Sequence, residues 1–276
     1  MQHDIRIIAL DLDGTLLNSN KELTQRNYDA LAAAAAKGIQ IVPTTGRFYN
    51  AMPQAIRDLP FVNYAITING AQVQNVRTGE VLYRAEIPWQ QAVEIMTFLD
   101  TLPVVYDCFM DNGAWMTAAL QEKIDDYTDD PHYRKMVRQL RAPVPELKAF
   151  ITDLGHDVQK SQFFTMDADL RARMLRELPQ MFPGIVTSSA LKHNVEINQA
   201  RANKGEALLA LAQHLGWGAE NVMSFGDGLN DLTMIEAAGL GVVMANGVDE
   251  LKNCANYITD DCDHDGVAAA IEKFCL

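Results

Sequence analysis

Two carboxylates two residues apart, Asp11 and Asp13, end a short apolar run and precede Gly14-Thr15. Paired carboxylates repel unless a cation neutralises them. A hard divalent ion bound by oxygen ligands suits such a pair, and Mg2+ is the natural candidate. A carboxylate beside such an ion can attack phosphorus and form an acyl phosphate. The plainer alternative is an acidic turn. Three other groups have chemical potential. Thr44-Thr45-Gly46-Arg47 offers hydroxyls and a guanidinium able to fork onto phosphate. Lys204 stands at the start of an expected helix, where its charge opposes the macrodipole. That placement makes sense if it offsets carboxylates and phosphate. Gly226-Asp227-Gly228-Leu229-Asn230-Asp231 is an acidic string whose glycines let the backbone turn sharply.

Short strands must position these groups. Ile5 to Leu10 is β-branched and apolar, the pattern of a strand covered on both faces. Ligands of open α/β sheets sit beyond the carboxyl ends of such strands, and residues two apart on an extended chain point the same way. Ile39–Pro43 leads likewise into Thr44, and Asn221–Phe225 into Gly226. The alternation predicts helices over Thr24–Lys37, Tyr49–Leu59 and Lys204–Leu215, then to Ala238, over Val248–Cys254 and over Gly266–Phe274. Asn203 and Glu206 form a capping-box pattern at the third of these. Further strands are expected at Ala65–Ile68, Gly241–Met244 and Ala255–Thr259, with a strand-turn-strand about Thr78-Gly79.

The middle differs. A helix is predicted over Pro88–Thr101, then a hairpin of Val104–Met110 and Ala114–Thr117 about Asn112-Gly113. Leu120–Leu154 is polar and acidic, punctuated by prolines. A strand over Val158–Met166, a helix over Asp167–Met181 and a strand pair at Ile185–Ser189 and Val195–Asn198 follow. The fold class expected is α/β: a doubly wound, mainly parallel sheet from residues 1–83 and 199–276, with an inserted α+β domain over 84–198.

The 276 residues carry a net charge of −13, which argues against binding the nucleic-acid backbone. Cys108, Cys254, Cys262 and Cys275 are scattered without a close metal-ligand pair, so reduced thiols in a cytoplasmic protein are expected. The start of the chain does not read as a signal peptide, and no apolar run approaches a membrane span. The aspartates at 125, 126, 129 and 130 lack the spacing of a calcium loop and read as a solvated face.

In this order and spacing the four groups resemble the haloacid dehalogenase superfamily of aspartate-dependent phosphohydrolases. The closest likeness is to its Cof-type branch, with a large C2-type cap inserted between the second and third motifs. The resemblance implies a Mg2+-dependent phosphatase for a small phosphorylated metabolite, with Asp11 as nucleophile and Asp13 as acid/base. It implies that Thr45 hydrogen-bonds the transferring phosphoryl group and that Lys204 supports Asp11. Asp11, Asp13 and Asp227 would hold the metal, Asp13 usually through its backbone carbonyl, with Asp231 in support. Leu12, Gly46, Arg47 and Asn230 would line the phosphate or substrate site, and Asn69-Gly70-Ala71 resembles a loop often near it. Asn198-Gln199-Ala200-Arg201-Ala202-Asn203 departs from the proline-containing link common before the lysine, which bears on cap geometry. Sugar phosphates are the leading substrates implied, with pyridoxal phosphate and flavin mononucleotide as competitors. A phosphomutase is the rival enzyme, and a metabolite-binding regulator the rival outside catalysis. The cap is expected to close over the core and choose the leaving group.

Overall fold

The structure, a computed structural model, describes residues 4–189 and 191–276. Strand β1 (Ile7–Leu10) leads to α1 (Gln25–Ala36), β2 (Gln40–Pro43), the short α2 (Gln54–Arg57), and β3 (Tyr64–Thr67), β4 (Gln72–Asn75) and β5 (Val81–Arg84). The middle comprises α3 (Trp89–Leu99), β6 (Val105–Met110), β7 (Gly113–Thr117), α4 (Ala118–Glu122), α5 (Pro131–Leu140) and β8 (Arg141–Val144). It continues through α6 (Leu147–Leu154), β9 (Lys160–Phe164), α7 (Ala168–Met181), β10 (Ile185–Ser188) and β11 (Asn194–Gln199). The chain then forms α8 (Lys204–His214), β12 (Val222–Gly226), α9 (Leu232–Ala237), β13 (Leu240–Val243), α10 (Asp249–Lys252), β14 (Tyr257–Ile258) and α11 (Gly266–Phe274). Two compact units result, one from the segments ending at Arg84 and resuming at Arg201, the other from Ala85–Ala200.

The first unit is a doubly wound α/β layer. Its sheet has the order β14-β13-β12-β1-β2, with every pair parallel. Alternation along β1 divides the burial. Ile8 and Leu10 pack with Leu31, Met223, Phe225, Val267 and Ile271, whereas Ile7 and Ala9 pack with Leu208, Leu211, Val222 and Met234. Helices α1 and α11 therefore cover one face, and α8 and α9 the other. Both faces are dry, which is why the strand is apolar throughout. Leu10 lies opposite Phe225 on one side and Pro43 on the other. Asp11, Thr44 and the Gly226 turn thus leave the same end of three adjacent strands. A second, antiparallel sheet of β3, β4 and β5 completes the unit.

The second unit is α+β, with a sheet ordered β10-β11-β9-β6-β7-β8 that is antiparallel except for β7 with β8. Helices α3, α6 and α7 contribute Ile95, Leu147, Ile151 and Met174 to an apolar layer against one sheet face. The hairpin turn falls at Asp111-Asn112, one residue before the Asn112-Gly113 expected: both are left-handed, φ 53° and 57°, and Gly113 already pairs with Met110 in β7.

Local expectations fail at three places. No single helix spans 49–59. Pro53 cannot donate to a helical ladder and holds Met52 extended, so a turn at Tyr49–Ala51 and the four-residue α2 replace it. The polar stretch over 120–154 is not featureless. Asp130 and Glu146 accept hydrogen bonds from the opening amides of α5 and α6, and Pro131 sits where a missing N–H costs nothing. At α8, Asn203 does cap the Glu206 amide, at 2.8 Å. The reciprocal bond is missing because the Asn203 amide donates to Arg201 O, and Glu206 takes Arg201 Nε and Asn203 Nδ2 instead.

Close packing of α8 on α9 depends on Gly205, where an added Cβ would lie 2.3 Å from Thr233 O. Gly205→Ala is expected to lower the free energy of unfolding by about 1–3 kcal/mol, because backbone must shift to admit it. Urea denaturation of the two proteins measures the difference, and equal midpoints would contradict it.

Candidate active site

The three strand ends bring Asp11, Asp227, Asp231 and Lys204 together. Lys204 begins α8, yet its side chain is fully buried rather than solvated. Its Nζ donates to Asp11 Oδ1 at 2.6 Å and to Asp231 Oδ1 at 2.5 Å. The other Asp231 oxygen accepts the Asp227 and Gly228 amides, each at 3.0 Å, so this carboxylate braces the loop that presents Asp227. Asp227 Oδ1 accepts from Thr15 Oγ1 at 2.9 Å. Gly14, with φ 90°, passes so near Asp227 that a Cβ there would meet Oδ2 at 2.5 Å.

The charges act on one another. Burial pushes the Asp11 carboxyl up to about 7 against the pull of Lys204, and Asp231 and Asp227 add to the rise. Burial also raises Asp227, while the Thr15 hydrogen bond opposes the rise. Burial disfavours the Lys204 ammonium, but Asp11 and Asp231 outweigh that and hold it above its ordinary range. The site therefore carries more buried negative charge than its one lysine balances.

Carboxylate oxygens of Asp11, Asp227 and Asp231 approach within 4.8 Å of one another, a group with no histidine or cysteine. An all-oxygen donor set of this charge fits Mg2+, and a dication there would relieve the repulsion that raises Asp11 and Asp227. The Asp13 carboxylate lies outside that group. Arg47 grips it in a fork, Nε to Oδ2 and Nη2 to Oδ1, both 2.9 Å, and Lys21 Nζ adds a contact at 3.1 Å. Burial opposes the Asp13 charge, yet Arg47 and then Lys21 hold the carboxyl below its usual range. Nη1 donates to Ala51 O at 3.2 Å, so each guanidinium nitrogen of Arg47 has a protein partner.

The remaining sequence candidates are all in this unit. Thr45 Oγ1 accepts the Arg47 amide at 3.2 Å, whereas the neighbouring Thr44 hydroxyl turns back to Val42 O. Gly46 leaves room for Asn69, whose Oδ1 would stand 2.9 Å from a Cβ there and accepts from Asn230 Nδ2 at 3.3 Å. Leu12 is buried, its carbonyl taken by the Leu17 amide. Thr15, Lys21 and Asn246, which holds Gly14 O at 2.8 Å, were not singled out from sequence. Thr15 follows the Asp13-Gly14 step directly, so adjacency was its one available signal. Its partner Asp227 is 212 residues away.

Residues 8–271 match the profile of the haloacid dehalogenase-like hydrolases. The 5-amino-6-(5-phospho-D-ribitylamino)uracil phosphatase YcsE of Bacillus subtilis (strain 168) is 32% identical over 273 residues, covering 99% of this chain and 97% of its own. The pyridoxal phosphate phosphatase YbhA of Escherichia coli (strain K12) is 27% identical over 275 residues, covering 96% and 97%. Among solved structures, a haloacid dehalogenase-like hydrolase from Bacteroides thetaiotaomicron superposes with a TM-score of 0.82 at 28% identity, covering 98% of this chain and 99% of that one.

Thr15 aims Asp227 without belonging to the carboxylate group itself. Thr15→Val keeps the shape and removes the hydrogen bond. It is expected to weaken Mg2+ binding about 10–100-fold with the fold intact. Calorimetric titration with Mg2+ alone measures this, and an unchanged affinity would mean that Thr15 does not orient Asp227.

Proposed function

This chain belongs to the haloacid dehalogenase-like hydrolase family and is a phosphatase of that family. On that premise we propose that it hydrolyses a small phosphorylated metabolite, with sugar phosphates as the leading class, through an aspartyl phosphate on Asp11. The observation that carries the reading is the buried Lys204 ammonium between Asp11 and Asp231. It fixes one Asp11 oxygen and leaves the other to attack.

The steps follow from the chemistry of each group. Asp11 Oδ2 forms a bond to phosphorus as the bond to the leaving oxygen breaks. Asp13, which Arg47 and Lys21 hold ionised, must first take up a proton from solvent; it then gives that proton to the leaving oxygen and accepts one from the water that attacks the aspartyl phosphate. Phosphate departs and Asp11 is restored. Arg47 positions Asp13 by its fork rather than gripping substrate directly. Thr45, with the backbone amides of Leu12 and Gly46, is assigned to the phosphoryl oxygens. Asn230 is assigned to the same pocket through Asn69. Asp11, Asp227 and the Asp13 carbonyl would hold Mg2+, which when bound supplies positive charge to the transferring phosphoryl oxygens. Lys204 supplies the positive charge that no dication alone would balance as the phosphoester arrives.

These residues would treat many phosphoesters alike, so discrimination is assigned to the inserted unit. The different substrates in the names of the two relatives, at similar identity over nearly full length, fit that division.

Phosphate release from p-nitrophenyl phosphate tests the assignments. Asp11→Asn should fold and lose roughly 10^3-fold or more of kcat, and Lys204→Arg should recover little, since a planar fork cannot replace a compact ammonium. Chelation should abolish turnover and Mg2+ restore it. Near-normal activity of Asp11→Asn would refute the nucleophile. Free phosphate as the product separates hydrolase from mutase, which would return an isomeric sugar phosphate.

A further inference from the structure

Strands β3 and β4 are joined by a reversal at Ile68-Asn69-Gly70, and all three residues are left-handed, φ 52°, 54° and 96°. A tight hairpin needs left-handed residues, and Asn-Gly supplies them at little cost. Ile68 is different. It is buried and β-branched, a residue type that rarely adopts this conformation. Strain of this kind persists only where the surroundings over-determine it, and it gathers at functional sites.

The surroundings are the site's own segments. The Ile68 amide donates to Arg47 O and the Asn69 amide to Thr45 O, both at 3.0 Å. Neither bond crosses the hairpin; together they clasp Gly46 from either side. The Asn69 carboxamide lies against Gly46, where an added Cβ would meet Oδ1 at 2.9 Å and Nδ2 at 3.4 Å. Gly70 abuts the chain just before Lys204, so closely that a Cβ would stand 2.2 Å from Asn203 O. Asn69 Oδ1 accepts from Asn230 Nδ2 at 3.3 Å, on the loop that carries Asp227 and Asp231. One turn therefore touches three segments of the site that are remote in sequence, and the Asn69 side chain reaches between two of them.

A carboxamide nitrogen carries two hydrogens. One hydrogen of Asn230 is directed to Asn69, which fixes the plane of that exposed amide and leaves the other for a ligand. Without such support an exposed side chain samples several rotamers and loses that freedom when a ligand orders it. We propose that Asn69 is a positioning residue for phosphoryl recognition: it holds the Asn230 amide so that its second hydrogen meets a phosphoryl oxygen. Ile68 and Gly70 hold Asn69 itself, the first through Arg47 O and the second by its approach to Asn203. Asparagine suits the place because it tolerates the left-handed backbone and supplies an acceptor. The proposal rests on the assignment of Asn230 to the phosphoryl pocket.

A double-mutant cycle on the full chain tests it with two readouts. One is kcat/KM for p-nitrophenyl phosphate. The other is the affinity for inorganic phosphate, measured calorimetrically with Mg2+ present. Asn69→Gly takes φ 54° freely and keeps the backbone amide, so it removes the carboxamide alone. It should lower both quantities about fivefold, the value of one net hydrogen bond. Asn230→Ala should lower them at least as far. In the Asn230→Ala background, Asn69→Gly should then cost no more than about twofold, because what it supports is already gone. A residue that merely stabilises the turn would give the same loss in both backgrounds, and that result, or no loss in either, overturns the proposal. No loss from Asn230→Ala would remove Asn230 from the pocket and the proposal with it. Should phosphate bind but no ester turn over, the phosphatase reading fails and the calorimetric cycle still decides the coupling. If Asn69→Gly does not fold, Asn69→Ser, too short to reach Asn230, carries the same cycle.

Discussion

One buried ammonium organises the first unit's chemistry. Lys204 is enclosed by protein and reaches two carboxylates from different strand ends. Removing a charge from water is tolerable only with close partners of opposite sign, so Lys204 and its two aspartates are obligatory to one another. Asp231, in turn, receives the two amides that fold the Asp227 loop. A helix start, a strand end and a loop are thus tied at one nitrogen. Their geometry is inherited by whatever binds there.

The acid/base candidate is handled separately. Asp13 is one residue beyond the Asp11-Leu12 step, yet its carboxylate leaves the central cluster and is held by Arg47 and Lys21. Keeping the two functions on different cation partners prevents Lys204 from serving both. Neighbouring aspartates thereby acquire opposite electrostatic settings, one raised by burial and one lowered by its guanidinium partner. The contrast is the reverse of a raised acid beside an ionised nucleophile, so a bound cation would have to lower Asp11, and Asp13 would have to loosen its fork, before the two roles could run.

Much of this was legible in the chain because the parallel sheet is local in its signals. Each apolar run is short, each ends in polar or glycine-containing sequence, and the ends gather at one edge by topology alone. Asp11, Asp227 and Asp231 could be named for that reason, whereas Lys204, at a helix start, was legible only through the order of the motifs. What could not be read were the partnerships. Arg47 has the same appearance whether it grips phosphate or Asp13, and only the fold supplies the carboxylate. Thr15 is legible as a turn residue but not as the support of a residue so remote. The helix expected over 49–59 failed at Pro53, a signal present in the sequence but underweighted. The stretch over 120–154 was obscured because its helices are short and polar, so caps rather than apolar periodicity define them.

Strand β1, the first element in chain order, has β12 as one neighbour, and α1 is tied to α11 and the residues after it by Arg26 with Glu272 and by Lys37 with the carbonyls of Cys275 and Leu276. During vectorial synthesis the first unit therefore waits for the last segment, while Ala85–Ala200 is contiguous and has its own sheet. Long-range parallel pairing of this kind is slow and leaves strand edges open meanwhile. A nascent chain halted before α8 has Asp11 but neither Lys204 nor the acidic loop of Asp227 and Asp231. Reactivity would be withheld until α8 and the loop after β12 have been made, so products terminated before them would be inert rather than indiscriminate.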